Sequence, residues 1–90
     1  MWISPEDHKV IGAFLSAIRQ EAGVTQDELS RRLKKPQSFI SSYERGQRRI
    51  DFLEFTHVMI ALERDPRKVA AALMKELVAH VEAGRGTGPA

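Results

Sequence analysis

A cluster of basic side chains in the middle of the chain has the composition of a polyanion-binding surface. Seven of the residues from 31 to 49 are arginine or lysine, and Glu44 is the single acid among them. Solvated helix faces usually mix both signs of charge, whereas a one-sided basic cluster is the electrostatic footprint of nucleic-acid binding. The formal net charge of +2 for the whole chain is only a weak indication of the same partner.

Small polar side chains lie inside this basic segment, directly after Pro36. An α-helix fits the major groove of double-stranded DNA, and residues on its exposed first turns reach the base edges. The side-chain amide of Gln37 both donates and accepts, which matches the paired N6 and N7 edge of adenine. Ordinary helix surface is the alternative interpretation of these positions. The residues expected to read bases are Gln37, Ser38, Ser41 and Ser42.

Catalytic and metal chemistry lack the residues they need. The chain has no cysteine, and its histidines at positions 8, 57 and 80 do not have the spacing of metal ligands. The sequence also lacks a nucleophile elbow and a glycine loop that could cradle a phosphate. We therefore predict no catalytic residue, no metal and no cofactor, and we do not expect an enzyme.

The hydropathy pattern bears on where the protein works. No apolar run is long enough to span a membrane, and the N-terminus lacks the basic and then apolar regions of a signal peptide. A chain without cysteine fits a reducing compartment. We expect a cytoplasmic protein that associates with the nucleoid when it is bound to DNA.

Helix start and stop signals divide the sequence into five helices. A hydroxyl followed by proline, and a hydroxyl or acid followed three residues later by glutamate, are typical of helix N-termini. Glycine is typical of the position after a helix. The start signals are Ser4-Pro5, Thr25 with Glu28, Pro36, Asp51 with Glu54, and Asp65-Pro66, and the stop signals are Gly23 and Gly46.

Apolar residues recur at helical spacing between these signals and predict an all-α fold with one modest core. We expect one domain over residues 1–83, with a fifth helix at about 66–83 and a disordered tail at 84–90. The predicted inward-facing residues of the first four helices are Val10, Ile11, Phe14, Leu15, Ile18, Leu29, Leu33, Phe39, Ile40, Tyr43, Phe55, Val58, Met59 and Leu62.

From Ile11 to Pro66 the sequence resembles the phage-repressor helix-turn-helix family, the Cro-like or XRE class of DNA-binding regulators. The matching residues are Arg19, then "GVTQDELSRRL" from Gly23, then "FISSYERG" from Phe39. The resemblance covers about three fifths of the chain and implies a five-helix lambda-repressor-like domain whose helix-turn-helix motif occupies about 25–44.

The resemblance also implies roles for individual residues. Gln26 would contact a backbone phosphate, and Gln37, Ser38 and Ser42 would occupy the base-reading positions, with Ser41 close by. An ion pair of Arg19 with Glu44 would tie the first helix to the third. The residues that would approach phosphate or the neighbouring minor groove are Arg45, Arg48 and Arg49.

The turn of the motif departs from the family pattern at three positions. Lys34 stands where glycine is usual, so a left-handed conformation there would carry a steric cost. Lys35 replaces an apolar residue and Pro36 replaces a hydroxyl cap. We expect both lysines to add phosphate affinity. For Arg31 and Arg32, a solvated helix face and a nucleic-acid contact are both consistent with the sequence.

The fifth helix carries a broad apolar stripe that has two interpretations. The stripe could close the core of the monomer, or Leu73, Leu77 and Val81 could be left for the same helix of a second copy. On the second interpretation we expect a homodimeric regulator, a repressor, that binds double-stranded DNA at a near-palindromic operator. The alternative function is an antitoxin-like interaction module whose main partner is another protein.

Overall fold

The computed structural model describes residues 2–86, and within them it contains helices and no strand. The five helices are α1 (Pro5–Glu21), α2 (Gln26–Leu33), α3 (Gln37–Glu44), α4 (Phe52–Ala61) and α5 (Pro66–Gly86). The predicted all-α fold with five helices is therefore confirmed. Helix α5 extends to Gly86, and the rest of the tail that we predicted to be disordered lies outside the described residues.

Local hydrogen bonds explain why the helices begin where they do. Before α4, Asp51 Oδ1 accepts from the Glu54 N–H at 2.7 Å, and the Asp51 N–H donates to Glu54 Oε1 at 2.9 Å. Before α2, Thr25 Oγ1 accepts from the Glu28 N–H at 3.0 Å. Within the described contacts, the Glu28 carboxylate does not accept from the Thr25 N–H as a full capping box would require. It pairs with the arginines one turn later instead.

In the turn between α2 and α3, Lys34 adopts the left-handed conformation whose steric cost the sequence raised as a question. Lys34 has φ 56° and ψ 43°, which is the left-handed region. A side chain in this region costs roughly 1–2 kcal/mol. Pro36 follows in an extended conformation, and α3 begins at the next residue. The chain therefore enters α3 through a turn whose left-handed position is occupied by a lysine and not by glycine.

The core lies where α1 and α2 pack against α3, and it continues between α4 and α5. Gly12 lets α1 approach α3 closely, since an added Cβ would lie 2.4 Å from the carbonyl oxygens of Tyr43 and Glu44. Just beyond the same end of α3, Gly46 has φ 74° and lies against Lys9. The buried apolar residues are Leu15, Val24, Leu29, Ile40, Tyr43, Phe55, Val58, Met59, Leu62, Val69 and Leu73.

Helix α5 closes the core with part of its apolar stripe only. Val69 and Leu73 are buried, and Leu77 is partly buried against the same core. Met74, Val78 and Val81 remain about half exposed. Among the residues from 2 to 86, no helix combines the length and apolar character that membrane crossing needs.

Candidate nucleic-acid interface

Helix α3 presents a polar surface on its first turn and an apolar surface to the core. Gln37 and Ser38 are exposed, and Ser41 and Ser42 are partly buried. The opposite side is anchored by Ile40, which is fully buried. The first-turn amide and hydroxyl groups are therefore open to a ligand, while the helix itself is fixed.

The aromatic residues of α3 hold the helix from its inward side. The rings of Phe39 and Tyr43 meet edge to face, with centroids 5.4 Å apart. The Tyr43 hydroxyl is buried and has no hydrogen-bond partner within the described residues. Burial also raises the pKa of Tyr43 above its ordinary range. These aromatic side chains belong to the packing of the domain, so they are not available for base stacking.

An ion pair between α1 and the last residue of α3 fixes the far end of the helix. Arg19 Nε donates to Glu44 Oε2 at 2.7 Å, and Arg19 Nη2 donates to Glu44 Oε1 at 3.1 Å. The two side chains are only 11% and 5% exposed. The hydrogen bond to Glu44 raises the pKa of Arg19. Arg19 Nη1 also donates to the Val24 carbonyl at 2.8 Å, so one guanidinium joins α1, the α1–α2 loop and α3.

The same carboxylate orients a pair of glutamines at the exposed end of the motif. Gln26 Nε2 donates to Glu44 Oε1 at 2.9 Å, and Gln37 Nε2 donates to Gln26 Oε1 at 3.3 Å. A carboxylate can only accept, so Gln26 must turn its NH₂ group inward and its oxygen toward Gln37. Gln37 therefore keeps its own Oε1 and one N–H free. Sequence reasoning had placed both glutamines at the interface but had missed their contact.

Apart from Arg48, the basic residues of the segment from 31 to 49 fall into two groups. Arg31 forms ion pairs with Asp27 and Glu28. Arg32 contacts Glu28 and donates to the Ala61 carbonyl at 2.8 Å, at the end of α4. Both arginines are thus engaged within the domain. The exposed bases without an ion pair in the described chain are Lys34, Lys35, Arg45 and Arg49.

Arg48 differs from its basic neighbours because its charge is already compensated. Its Nη1 and Nη2 donate to the two carboxylate oxygens of Glu54 at 3.1 and 2.7 Å. The guanidinium carbon also lies 4.6 Å from the centre of the Phe39 ring. The pair with Glu54 raises the pKa of Arg48 and lowers the pKa of Glu54. No sequence pattern predicted this arrangement.

One histidine has a structural contact. His80 Nε2 lies 2.7 Å from Asp7 Oδ1 and joins α5 to the first turn of α1. The pKa of Asp7 is lowered, first by the Ser4 N–H that donates to its carboxylate and then by His80. Within residues 2–86, no group of histidine and acidic side chains could hold a metal ion.

Comparison with known proteins decides the family. The helix-turn-helix family model matches residues 15–56. A solved XRE-family like protein from Pseudomonas syringae is 34% identical, with a TM-score of 0.70 over 79% of this chain and 87% of that one. The chain belongs to the XRE family of helix-turn-helix DNA-binding transcription regulators. The resemblance stated from the sequence is thereby confirmed.

Other solved structures share the fold of this XRE-family protein. The restriction-modification controller protein C.AhdI from Aeromonas hydrophila is 26% identical, with a TM-score of 0.64 over 71% of this chain and 97% of that one. The clp gene regulator ClgR from Corynebacterium glutamicum is 22% identical, with a TM-score of 0.72 over 88% of this chain and 84% of that one, and shows the fold alone. No curated protein sequence matches the chain.

Proposed function

We propose that this XRE-family protein is a sequence-specific regulator that binds an operator in double-stranded DNA through α3. The observation that carries the proposal is the exposed polar first turn of α3, which is flanked by bases that have no ion pair within the described chain. A helix with this exposure fits the major groove, and free cations beside it can neutralise phosphates. The base-reading residues that we propose are Gln37, Ser38, Ser41 and Ser42.

The orientation of Gln37 supports adenine as its base. One N–H of Gln37 is held by Gln26, at 3.3 Å from Nε2 to Oε1. The remaining N–H and the free Oε1 form a donor and acceptor pair, which complements N7 and N6 of adenine. Gln37 can therefore read adenine without giving up its contact with Gln26.

Affinity in this proposal comes mainly from phosphate contacts. The groups that we assign to the DNA backbone are Gln26, Lys34, Lys35, Arg45 and Arg49. Each neutralised phosphate releases counterions, so the affinity falls steeply as salt concentration rises. Gln26 retains a second N–H that does not bond to Glu44, and this group can reach a phosphate oxygen.

We also propose that the regulator acts as a homodimer through an exposed apolar strip. We define the apolar strip as Phe52 and Leu53 on α4 with Met74, Val78 and Val81 on α5. Phe52 is 82% exposed and Leu53 is 73% exposed. Phe52 and Met74 lie in the wall of one groove, and large exposed apolar side chains of this kind mark an interaction surface. Leu73 and Leu77, which the sequence offered for the same role, lie mostly inside the monomer core, so they would contribute only to the floor of the interface.

A second copy of the chain suits the apolar strip because bulky apolar side chains lie beside an apolar groove that could receive them. Phe52 and Met74 line an apolar groove together with Ile11, Phe55 and Leu77. A self-complementary patch of this kind is what an isologous two-fold interface needs. The two copies of α3 would then face successive major grooves, with half-sites about 10 bp apart or a multiple of that spacing.

Repression in the cytoplasm is the regulatory outcome that we propose, because a dimer bound at a promoter excludes other proteins from the same DNA. The second candidate function is that of an antitoxin-like module, which would use the apolar strip to bind a different protein. The exposure of Phe52 and Leu53 favours this function equally. Sedimentation of the purified chain separates the two, since a homodimer forms alone and a hetero-complex does not.

The proposed function is tested by selecting duplexes from a random-sequence library with the purified protein. We expect enrichment of a near-palindromic site, and loss of about 10³-fold or more in affinity between about 50 and 200 mM salt if the dimer contacts at least about six phosphates. No enrichment, or a flat salt response, would contradict DNA binding by this surface.

A further inference from the structure

The three arginines that follow α3 do not have equal surroundings, although the sequence assigns them one role. Arg45 and Arg49 are exposed and form no ion pair within the described chain. Arg48 contacts Glu54 through both terminal nitrogens and also donates from Nη1 to the Arg49 carbonyl at 2.6 Å. A bidentate contact with a DNA phosphate needs the same two nitrogens. Arg48 would have to leave Glu54 before it could make that contact.

The partners of Arg48 lie on two helices that share few direct contacts. Helix α3 packs mainly against α1 and α2, whereas Glu54 belongs to the first turn of α4. Phe39 belongs to the first turn of α3, and the guanidinium carbon of Arg48 lies over its ring, 4.6 Å from the ring centroid. An open groove separates the two helices beside this contact, with Lys35, Phe39, Glu54 and His57 in its walls. Arg48 is thus a bridge across the groove.

Glu54 is itself held in place, which makes the bridge stiff. Its Oε1 accepts from the Asp51 N–H at 2.9 Å as part of the capping box of α4. The carboxylate therefore cannot follow Arg48 toward DNA without disrupting the start of its own helix. On the other side, Phe39 packs edge to face on the buried Tyr43. The guanidinium consequently clamps the outer face of Phe39 against a fixed support.

Phe39 directly follows the two exposed residues that open α3. A shift of Phe39 would move Gln37 and Ser38 with it, because the three residues share one helical turn. Base discrimination depends on side-chain placement within a few tenths of an ångström, so the support of this turn affects specificity more than general affinity. A loss of the clamp would leave the phosphate-binding lysines and arginines in place.

We propose that Arg48 is a positioning residue for base recognition, held by Glu54 and acting through Phe39, and that it does not contact phosphate. This inference rests on the proposed DNA-binding function. It predicts that the acid Glu54 supports specific binding, although an acid beside a DNA surface ordinarily weakens binding by repulsion. The effect of removing Glu54 therefore has opposite signs under the two accounts.

The test uses the full chain, a duplex selected from a random library by the wild-type protein, and a scrambled duplex of equal length. Affinities for both are measured by fluorescence anisotropy over about 50–200 mM salt. The variants are Arg48→Gln, Arg48→Lys, Glu54→Gln and the double variant, with Arg49→Gln as the matched control. Melting curves establish that each variant is folded at the temperature of measurement.

We expect Arg48→Gln, Arg48→Lys and Glu54→Gln each to reduce the ratio of specific to scrambled affinity by about fivefold or more, the scale of one base contact. The double variant should be no worse than the poorer single variant, and the salt slope should match that of the wild type. Arg49→Gln should weaken both duplexes together and reduce the slope by about 0.9 for each protomer bound.

Two results would overturn the positioning role while leaving the proposed function intact. In the first, Arg48→Gln reproduces the slope change of Arg49→Gln and Arg48→Lys is neutral, which would make Arg48 a phosphate contact. In the second, Glu54→Gln tightens binding to both duplexes. If the wild-type protein selects no duplex at all, the proposed function fails and the positioning role fails with it.

Discussion

The carboxylate of Glu44 accepts hydrogen bonds from both Arg19 and Gln26, so one acid supports the fold and orients the amide of Gln26. The Arg19 pair closes the contact between α1 and α3. The Gln26 bond points the oxygen of that amide toward Gln37, 3.3 Å away. A single nearly buried side chain therefore couples the stability of the fold to the base recognition that we propose.

Replacement of Glu44 by alanine should destabilise the domain by about 3 kcal/mol, because it leaves a nearly buried arginine without its partner. The Arg19 side chain is only 11% exposed, so water can compensate the charge only in part. Urea unfolding of the wild type, Glu44→Ala and the double variant Arg19→Met, Glu44→Leu measures this. The double variant should be more stable than Glu44→Ala. Equal stability of wild type and Glu44→Ala would remove the ion pair from the account.

Replacement of Tyr43 by phenylalanine should stabilise the domain by about 1 kcal/mol, since it removes a buried hydroxyl whose desolvation is not repaid by a hydrogen bond. The hydroxyl has no partner among the described residues, and the ring packing with Phe39 does not need it. The midpoint of urea unfolding should rise at an unchanged slope. A lower midpoint would show that the hydroxyl has a partner in solution.

Replacement of Gln37 by alanine should cost about 1–3 kcal/mol at one base pair of each half-site and relax its identity. Gln26→Ala should relax the same base pair less strongly, because Gln26 orients Gln37, and it should also weaken binding to every duplex at an unchanged salt slope, because Gln26 is an uncharged group assigned to a phosphate. Binding to duplexes changed at single base pairs measures both effects. Equal weakening on every duplex would make Gln37 a backbone contact.

Acidification should erase the stability difference between the wild type and Asp7→Asn. The pKa of Asp7 is lowered from its ordinary value of 3.8 by the Ser4 N–H and then by His80. A carboxylate with a depressed pKa stabilises the fold above its unfolded-state pKa, and this contribution is lost as the pH falls through the folded-state value. The wild type should be the more stable protein at pH 6, and the two urea midpoints should converge below about pH 4. A difference that persists down to about pH 2 would indicate packing as its source.

Replacement of Phe52 by glutamate should weaken self-association at least about tenfold, since truncating a central aromatic anchor typically costs about 2 kcal/mol or more. Ile60 offers a matched control, because it is 62% exposed on α4 but lines the groove beside Arg32 and Phe39, whereas Phe52 lines the groove beside α5. Ile60→Glu should leave the dimer unchanged in sedimentation equilibrium. Identical behaviour of both variants would place the interface elsewhere or show that the chain is a monomer.

The sequence was sufficient for the helices because their signals are local. The proline after Ser4, the capping box at Asp51 and the apolar spacing each act within one or two turns, and the structure has helices at these places. The family pattern drew attention to Lys34 but left open whether it adopts the left-handed conformation, which the structure shows. Each of these features depends on residues that are close in sequence.

The contacts that refine the site could not be predicted in the same way. The Gln26–Gln37 bond, the Arg48 bridge to Glu54 and Phe39, and the pair of His80 with Asp7 join different helices. Which side chains meet across helices depends on packing angles, and periodicity does not fix these. The same limit explains why Leu73, which belongs to one stripe with Val81, is buried while Val81 is half exposed.

The most direct test of the central claim is an NMR titration of the labelled protein with a duplex that it has selected from a random library. We predict that the largest changes fall on the backbone amides of residues 34–49 and on the side-chain amide of Gln37, with α5 little affected by DNA. Changes confined to α4 and α5, with the first turn of α3 unmoved, would contradict base reading by this helix.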